Sequence, residues 1–116
     1  MEPIYDRRGQ ICAWLDEDAL RDLGGRVTAW LHSGSVVSPG SVHKGWYRAG
    51  TFRDHVGAVV AWTEASHSAP PKPPHEPMPI NPVKAVRPTK PAMPRGPLKP
   101  VDASTWSALT WAAYVK

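Results

Sequence analysis

The sequence predicts an all-β fold: a shallow, closed, pseudo-fourfold barrel of four β-hairpins, followed by a Pro-rich extended tail. Three observations predict it. Tryptophan recurs at a fixed sixteen-residue spacing, a period-two apolar pattern and two turn signals recur with it, and this pattern stops near residue 65, where prolines begin to cluster. A spacing held over four copies indicates four structural repeats. The repeated tryptophans are Trp14, Trp30, Trp46 and Trp62.

Each repeat unit carries two turn signals around one Trp strand. The first is Asp-x-x-Gly, as from Asp6 to Gly9, in which the Asp side chain can accept backbone N–H groups and the Gly can take a positive φ. The second follows the Trp, as in the stretch 32–34. Apolar residues alternate between the turns, so each unit is predicted to be a hairpin of two short strands, each about four to six residues long.

The phase of the repeat predicts how the barrel closes. The fourth unit has its Trp strand at 59–63, but Ser68 stands where an apolar strand residue would be due. The missing strand is present at the N-terminus, at 3–6. We expect this segment to pair with the last Trp strand, which gives eight short strands and leaves no open edge.

One face of each Trp strand carries a small residue before the Trp, as at Ala13 and Ala29. Small residues let four strands approach the barrel axis, so we expect this face inside and the Trp face outside, partly exposed unless something covers it. Side chains can fill an eight-stranded barrel, so a packed interior is expected. If a cavity is present, its predicted lining is Ile11, Val27, Val59, Leu15, Leu31 and Tyr47.

The chain is predicted to divide into a barrel at 1–65, a Pro-rich basic linker at 66–101 and an aromatic C-terminal motif at 102–116. Twelve of the fourteen prolines lie in the linker, which should therefore be extended, partly polyproline II, and disordered unless docked. Polyproline II has three residues per turn, so five prolines spaced by three share one predicted ligand face. They are Pro88, Pro91, Pro94, Pro97 and Pro100.

The aromatic motif contains two tryptophans, Trp106 and Trp111. Trp106, Leu109 and Ala113 fall on one helical face, and Ser104 is a candidate N-cap, so a short helix is expected there. An aromatic terminus of this kind should dock, either on its own barrel or on something else.

These residues resemble the fourfold β-flower proteins of bacteria. The resemblance lies in copies such as 4–9 and 26–31, in the Pro-rich stretch that follows, and in the Trp-Ser-x-Leu-x-Trp ending. It covers nearly the whole chain and implies a shallow symmetric barrel of four petals with an apolar centre, but no established activity. Copy three departs from the pattern, with Ser38, Ser41 and His43 in place of Asp, Gly and a β-branched residue.

The residues favour a non-catalytic binding or assembly module. The four repeated tryptophans would form aromatic grooves that hold the polyproline tail, with Trp106 or Trp111 as an anchor, in cis or on a neighbouring copy. The alternative is a barrel that binds a lipid or another apolar ligand at its centre, with a membrane surface as one setting for such binding. An unknown protein partner stays open, and nucleic acid is disfavoured because the barrel carries near-neutral charge.

No enzyme, cofactor or metal site is indicated. The aspartates are explained by their turns, and the five histidines have no ligand spacing, so we expect them to be solvated. No stretch reads as a secretory signal or as a membrane span, which makes a cytoplasmic location the expectation.

Overall fold

The computed structural model describes all 116 residues and shows eight antiparallel strands closed into a barrel in chain order. This confirms the all-β, eight-stranded prediction. The only helix is a single short one near the C-terminus, and no helix has the length and apolar character needed to cross a bilayer. The elements are β1 (Glu2–Tyr5), β2 (Ile11–Asp16), β3 (Ala19–Arg21), β4 (Val27–His32), β5 (Ser35–Val37), β6 (His43–Arg48), β7 (Thr51–Arg53), β8 (Val59–Trp62) and α1 (Trp111–Val115).

The strands form four petals, each a strand pair joined by a wide turn. Petals 1 to 4 are β1–β2, β3–β4, β5–β6 and β7–β8, and their wide turns lie at 6–9, 22–25, 38–41 and 54–57. The Asp side chain organises the turn as predicted: Oδ1 of Asp22 accepts the backbone N–H groups of Gly24 and Arg26 at 2.9 and 3.0 Å. In petal 3, Ser38 Oγ accepts the N–H of Val42 at 3.2 Å, so the serine keeps the turn.

The N-terminal strand closes the ring. β1 pairs with β2 along its length and with β8 at one position, Tyr5 opposite Trp62. The prediction that residues 3–6 supply the missing strand is therefore confirmed. Because the β1–β8 contact is this short, the backbone at the start of β8, at Val59, is left to pair with another segment.

A bulge in every petal shifts the pattern of inward side chains. In petal 1 the register passes from Ile4 opposite Ala13 to Tyr5 opposite Ile11, which leaves Cys12 as the extra residue. Strict alternation would have placed residues 11, 13 and 15 on one face. The bulge instead brings Cys12 against the core beside Ala13 and leaves Ile11 outside it.

The core is a compact apolar cluster that the C-terminus completes. It contains one small or branched residue from most strands, together with two aromatic residues of α1. Its buried members are Ile4, Ala13, Leu20, Ala29, Val36, Phe52, Val60, Ala61, Trp111 and Tyr114. The predicted inward placement of the small residues is thus confirmed.

The tail, residues 66–110, has no helix and no named strand. The predicted helix capped by Ser104 is wrong: α1 begins at Trp111, and Thr110 is its N-cap, with Oγ1 accepting the N–H of Ala113. The reason is that the segment 105–107 is used elsewhere. Trp106 forms an isolated parallel bridge with Val59 of β8, on the backbone that β1 leaves free.

Candidate functional site

The wide turns meet the tail through their glycines. Glu76, Ala85 and Ala103 donate their backbone N–H groups to the carbonyl oxygens of Gly9, Gly25 and Gly57 at 2.9, 3.1 and 3.0 Å. The approach is close enough to require glycine: a Cβ on Gly25 would lie 2.1 Å from the carbonyl oxygen of Val83. The same conflict arises at the equivalent glycines of petals 1 and 4.

The tail contacts have a nine-residue period that matches the sixteen-residue period of the barrel. The donors at 76, 85 and 103 are nine and eighteen residues apart, and they meet petals 1, 2 and 4 in chain order. Four half-buried prolines have the same nine-residue spacing: Pro73, Pro82, Pro91 and Pro100. We call the four-residue blocks that begin at these prolines stations 1 to 4: 73–76, 82–85, 91–94 and 100–103.

Two buried arginines clamp the tail at stations 2 and 4. Arg21 Nη1 donates to the carbonyl oxygens of Gly25 and Ala85 at 2.6 and 2.8 Å. Arg53 Nη1 donates in the same way to Gly57 and Ala103 at 2.7 and 2.6 Å. Each guanidinium thus joins a turn carbonyl to a tail carbonyl, and hydrogen bonds from a charged donor are stronger than neutral ones.

Ion pairs distinguish one station from another. At stations 1 and 2 the third residue of the station meets the carboxylate that stands two residues after a repeated Trp: the imidazole of His75 lies 2.9 Å from Glu64, and Lys84 lies 3.0 Å from Asp16. At station 4 the signs are reversed, with Arg48 on the barrel and Asp102 on the tail lining one pocket. A tail displaced by eighteen residues would place like charges together, so these pairs fix its register.

Charge at station 2 extends along the short turn between petals 1 and 2. Arg87 donates to Asp18 at 2.6 Å and Lys90 donates to the same carboxylate at 2.9 Å. These two cations lower the pKa of Asp18 to about 2. Lys84 and then Arg21 hold the pKa of Asp16 below its usual value, against the opposing effect of burial. Both carboxylates are therefore kept ionised at neutral pH.

Station 3 lacks these bonds. Pro94 stands where Ala85 and Ala103 stand at other stations and has no N–H to donate, and Val37 occupies the place of the clamping arginines. Instead, Gly96 lies against the imidazole of His43, where a Cβ would come within 2.9 Å of Nε2. Station 3 is therefore the station with the fewest hydrogen bonds between the tail and the barrel.

A histidine pair stands beside station 3. His43 Nδ1 and His55 Nε2 share a hydrogen bond of 2.9 Å, and Ser35 Oγ lies 3.1 Å from His43 Nε2. Burial and the charge of His55 lower the pKa of His43. The expectation of solvated histidines is wrong for His43, because the sixteen-residue spacing hides the fact that a wide turn of one petal reaches the neighbouring petal.

The four repeated tryptophans are all buried on the outer face of the barrel. Cations and aromatic rings lie over them: Arg87 and Lys90 stand 5.8 and 6.0 Å from the ring centre of Trp30, within cation–π range. His75 lies 5.8 Å from Trp62, which also donates Nε1–H to the carbonyl oxygen of Asp6 at 2.8 Å. His43 lies 4.9 Å from Trp46, and Trp14 is almost fully buried.

The five prolines of the predicted ligand face differ in their exposure. Pro91, Pro94 and Pro100 are half-buried, whereas Pro88 and Pro97 are exposed. The half-buried prolines at 73, 82, 91 and 100 follow the nine-residue spacing instead. A nine-residue search of the tail sequence would have found this period, which the three-residue spacing obscured.

The segment 105–107 lies beside the start of β8 and is joined to it by the bridge at Trp106. Val59 donates its N–H to the carbonyl oxygen of Thr105 at 2.9 Å and accepts the N–H of Ser107 at 2.8 Å. Ser107 Oγ also donates to Asp54 Oδ2 at 2.5 Å. Two backbone bonds and one side-chain bond therefore fix this segment against β8.

Helix α1 closes the end of the barrel that carries the wide turns. Trp111 packs edge-on against Phe52 with ring centres 5.1 Å apart. The hydroxyl of Tyr114 donates to the carbonyl oxygen of Arg53 at 2.8 Å, and burial raises its pKa. Trp111 therefore packs in the core, whereas the half-buried Trp106 lies beside Val59 of β8.

The residues predicted to line a central cavity take different positions. Leu15, Leu31 and Tyr47 pack against the core cluster, while Ile11 and Val27 are half-buried outside it. Val59 is buried, and its backbone forms the bridge with Trp106. The largest apolar space is an open groove of about 760 Å³ beside α1, lined in part by Leu23, Val27, Pro39, Trp111 and Val115.

No group of three or more His, Cys, Asp or Glu side chains is placed to hold a metal ion. The single thiol, Cys12, is half-buried and donates to the carbonyl oxygen of Ile4. Burial raises its pKa, so it is held in the protonated form.

Comparison with known proteins identifies one family. No curated protein and no solved structure matches the chain. The model of the family described as 4-fold beta flower protein matches residues 2–115, which is almost the whole chain. The barrel of four petals has the form that this description names, and the chain belongs to the 4-fold beta flower protein family.

Proposed function

We propose that this protein is a non-catalytic binding and assembly module whose barrel rim holds a Pro-rich, aromatic-ended segment. The occupant is the chain's own tail or the tail of a neighbouring copy. The observation that carries the proposal is the match between nine-residue stations and sixteen-residue petals. At three of the four stations a barrel side chain pairs with a tail side chain: Glu64 with His75, Asp16 with Lys84 and Arg53 with Asp102.

The arrangement suits exchange between copies. A tail that leaves one barrel can make the same bonds on another, so an oligomer forms with little change in contact energy. The tether keeps its own tail at high effective concentration, which favours docking in cis when the protein is dilute. Because station 3 lacks these bonds, release of the tail from the barrel should cost the least free energy there.

Complementary charge variants test this proposal. Asp18→Lys makes the short turn repel its own tail, and Arg87→Glu with Lys90→Glu makes the tail repel an unmodified turn. Each variant alone should show faster hydrogen exchange at the Ala85 amide than wild type. When the two are mixed, hetero-oligomers should appear by native mass spectrometry, because a Glu-bearing tail fits a Lys-bearing turn.

The control is Glu17→Lys, since Glu17 lies in the same turn but its carboxylate stands 3.7 Å from Arg87 and is exposed. It should have a much smaller effect on exchange. If Asp18→Lys and the tail variant leave the Ala85 amide as protected as in wild type, and no mixed species forms, the rim does not hold the tail by these contacts and the proposal fails.

An apolar ligand is the second candidate, favoured by the groove beside α1. The barrel centre is occupied by the core cluster, so a lipid chain would lie in this groove, with Lys116 at its edge available to an anionic headgroup at a membrane surface. Titration with a fluorescent fatty acid, compared between wild type and Leu23→Ser, tests it. Equal affinity of the two proteins would remove this candidate.

A further inference from the structure

A small polar pocket lies between the end of β6 and the tail, beside station 4. Its volume is about 150 Å³. Trp46 forms one wall, and hydroxyl-bearing Thr51 and Ser68 contribute polar groups. The charged lining residues are Arg48, Arg53, Lys99 and Asp102.

The positive charges in this pocket exceed the negative ones. Asp102 is its only carboxylate, and it already pairs with Lys99 at 3.0 Å and Arg53 at 3.4 Å. Arg48 forms no ion pair and is exposed at the mouth.

The symmetry-related place at station 2 shows what would balance these charges. There the short turn supplies three acidic residues, Asp16, Glu17 and Asp18, to the cations of the tail and to Arg21. Thirty-two residues later the same positions hold Arg48, Ala49 and Gly50. The barrel thus repeats the clamp but replaces the carboxylates with a cation and two residues that carry no charge.

We propose that this pocket binds a phosphate group. Its oxygens would take the place of the carboxylates that the segment 48–50, between petals 3 and 4, lacks. Guanidinium groups match phosphate through paired N–H donors, and lysine adds a point charge. The hydroxyls of Thr51 and Ser68, which share a hydrogen bond of 2.9 Å, make the wall polar. The volume admits a phosphate group but leaves little room for a large ester inside. The organic part of a phosphomonoester would extend past exposed Arg48 into solvent.

This site rests on the proposed function, because the tail supplies Ser68, Lys99 and Asp102. The two can nevertheless fail separately. Protection of the Ala103 amide from hydrogen exchange reports tail docking at station 4 whether or not phosphate binds.

The test is calorimetric titration of the full chain with inorganic phosphate and, separately, with glycerol 3-phosphate, at constant ionic strength and pH 7.5. Arg48→Asp introduces the residue found at the symmetry-related barrel position, Asp16, and Arg26→Asp changes an exposed arginine of petal 2 as the matched control. Wild type and Arg26→Asp should bind with the same affinity. Arg48→Asp should lose at least tenfold in affinity.

Hydrogen exchange separates a binding role from a structural one. Arg48→Asp places a carboxylate beside Asp102 as well as beside Arg53 and Lys99, so exchange at the Ala103 amide is also measured in this variant. Protection equal to that of wild type assigns the lost affinity to the pocket, whereas loss of protection assigns it to undocking of the tail and would overturn the phosphate site. Equal binding of the two ligands means that the free phosphate group suffices, and tighter binding of the ester means that the organic part adds contacts.

Absence of saturable binding by wild type, with the Ala103 amide protected, would overturn the phosphate site and leave tail docking intact. Equal loss of affinity in both arginine variants would also overturn it, since that result indicates attraction by net charge alone.

Discussion

Replacing Gly25 with alanine should detach the tail at station 2. The new methyl carbon would lie 2.1 Å from the carbonyl oxygen of Val83, and both groups are held by backbone. The tail must therefore move away, and the Ala85 N–H bond to Gly25 and the Arg21 bond to Ala85 are lost with it.

The expected cost has two parts. A neutral backbone hydrogen bond contributes about 1 kcal/mol and one from a charged donor about 1.5 to 3 kcal/mol, so undocking should remove about 2.5 to 4 kcal/mol. Gly25 also has a φ of +92°, and an alanine in this left-handed region costs about 1 to 2 kcal/mol more.

Gly34→Ala isolates the second part. Gly34 has a φ of +82°, but a Cβ there meets only the carbonyl oxygen of Tyr47 at an ordinary 3.6 Å. Urea unfolding followed by Trp fluorescence measures both variants, and hydrogen exchange at the Ala85 amide reports the tail. Equal losses of stability in the two variants, with the Ala85 amide still protected in Gly25→Ala, would refute the docking geometry.

Three further predictions concern helix α1, the pair of His43 and His55, and the acidic turn at 16–18. Tyr114→Phe removes the hydroxyl bonded to the Arg53 carbonyl oxygen and leaves that oxygen buried, so urea unfolding should show a loss of about 1 to 3 kcal/mol; no loss would mean that α1 is not seated. The pKa of His43 is lowered in the folded state, so stability should fall as the pH drops below about 6.5, and His43→Asn should remove that dependence in unfolding curves at pH 7.5 and 5.5. A dependence that persists in the variant would place its origin elsewhere. The pKa of Asp18 is lowered to about 2, so its contribution to stability is complete above its ordinary value of 3.8 and is lost as the pH falls through about 2. Acid unfolding of Asp18→Asn should therefore start from a lower stability and lack this step, and an acid transition identical to that of wild type would contradict the ion-pair assignment.

The barrel could be predicted from sequence because its signals are local and repeated. The Asp-x-x-Gly turns, the Trp spacing and the missing eighth strand each follow from chain-level rules, and the closure by β1 follows from their phase. The bulge at Cys12 could not be read in the same way, because an extra residue leaves no mark in an alternating pattern that is only six residues long.

The tail contacts were harder to foresee because they depend on two different periods. Polyproline geometry favours a spacing of three, whereas the tail must match petals placed around a closed ring, and this gives a spacing of nine. The charges at Lys84 and Asp102 look unrelated in sequence and become equivalent only when the barrel brings Asp16 and Arg48 to symmetric positions.

Hydrogen exchange of the tail amides by NMR, in the full wild-type chain, shows whether the tail is docked in solution. We expect slow exchange at Glu76, Ala85 and Ala103, whose N–H groups are bonded to the barrel, and fast exchange at exposed positions between them, such as Ile80 and Leu98. Uniformly fast exchange across residues 73–103 would contradict it, because the tail would then be a free arm and the stations would not exist in solution.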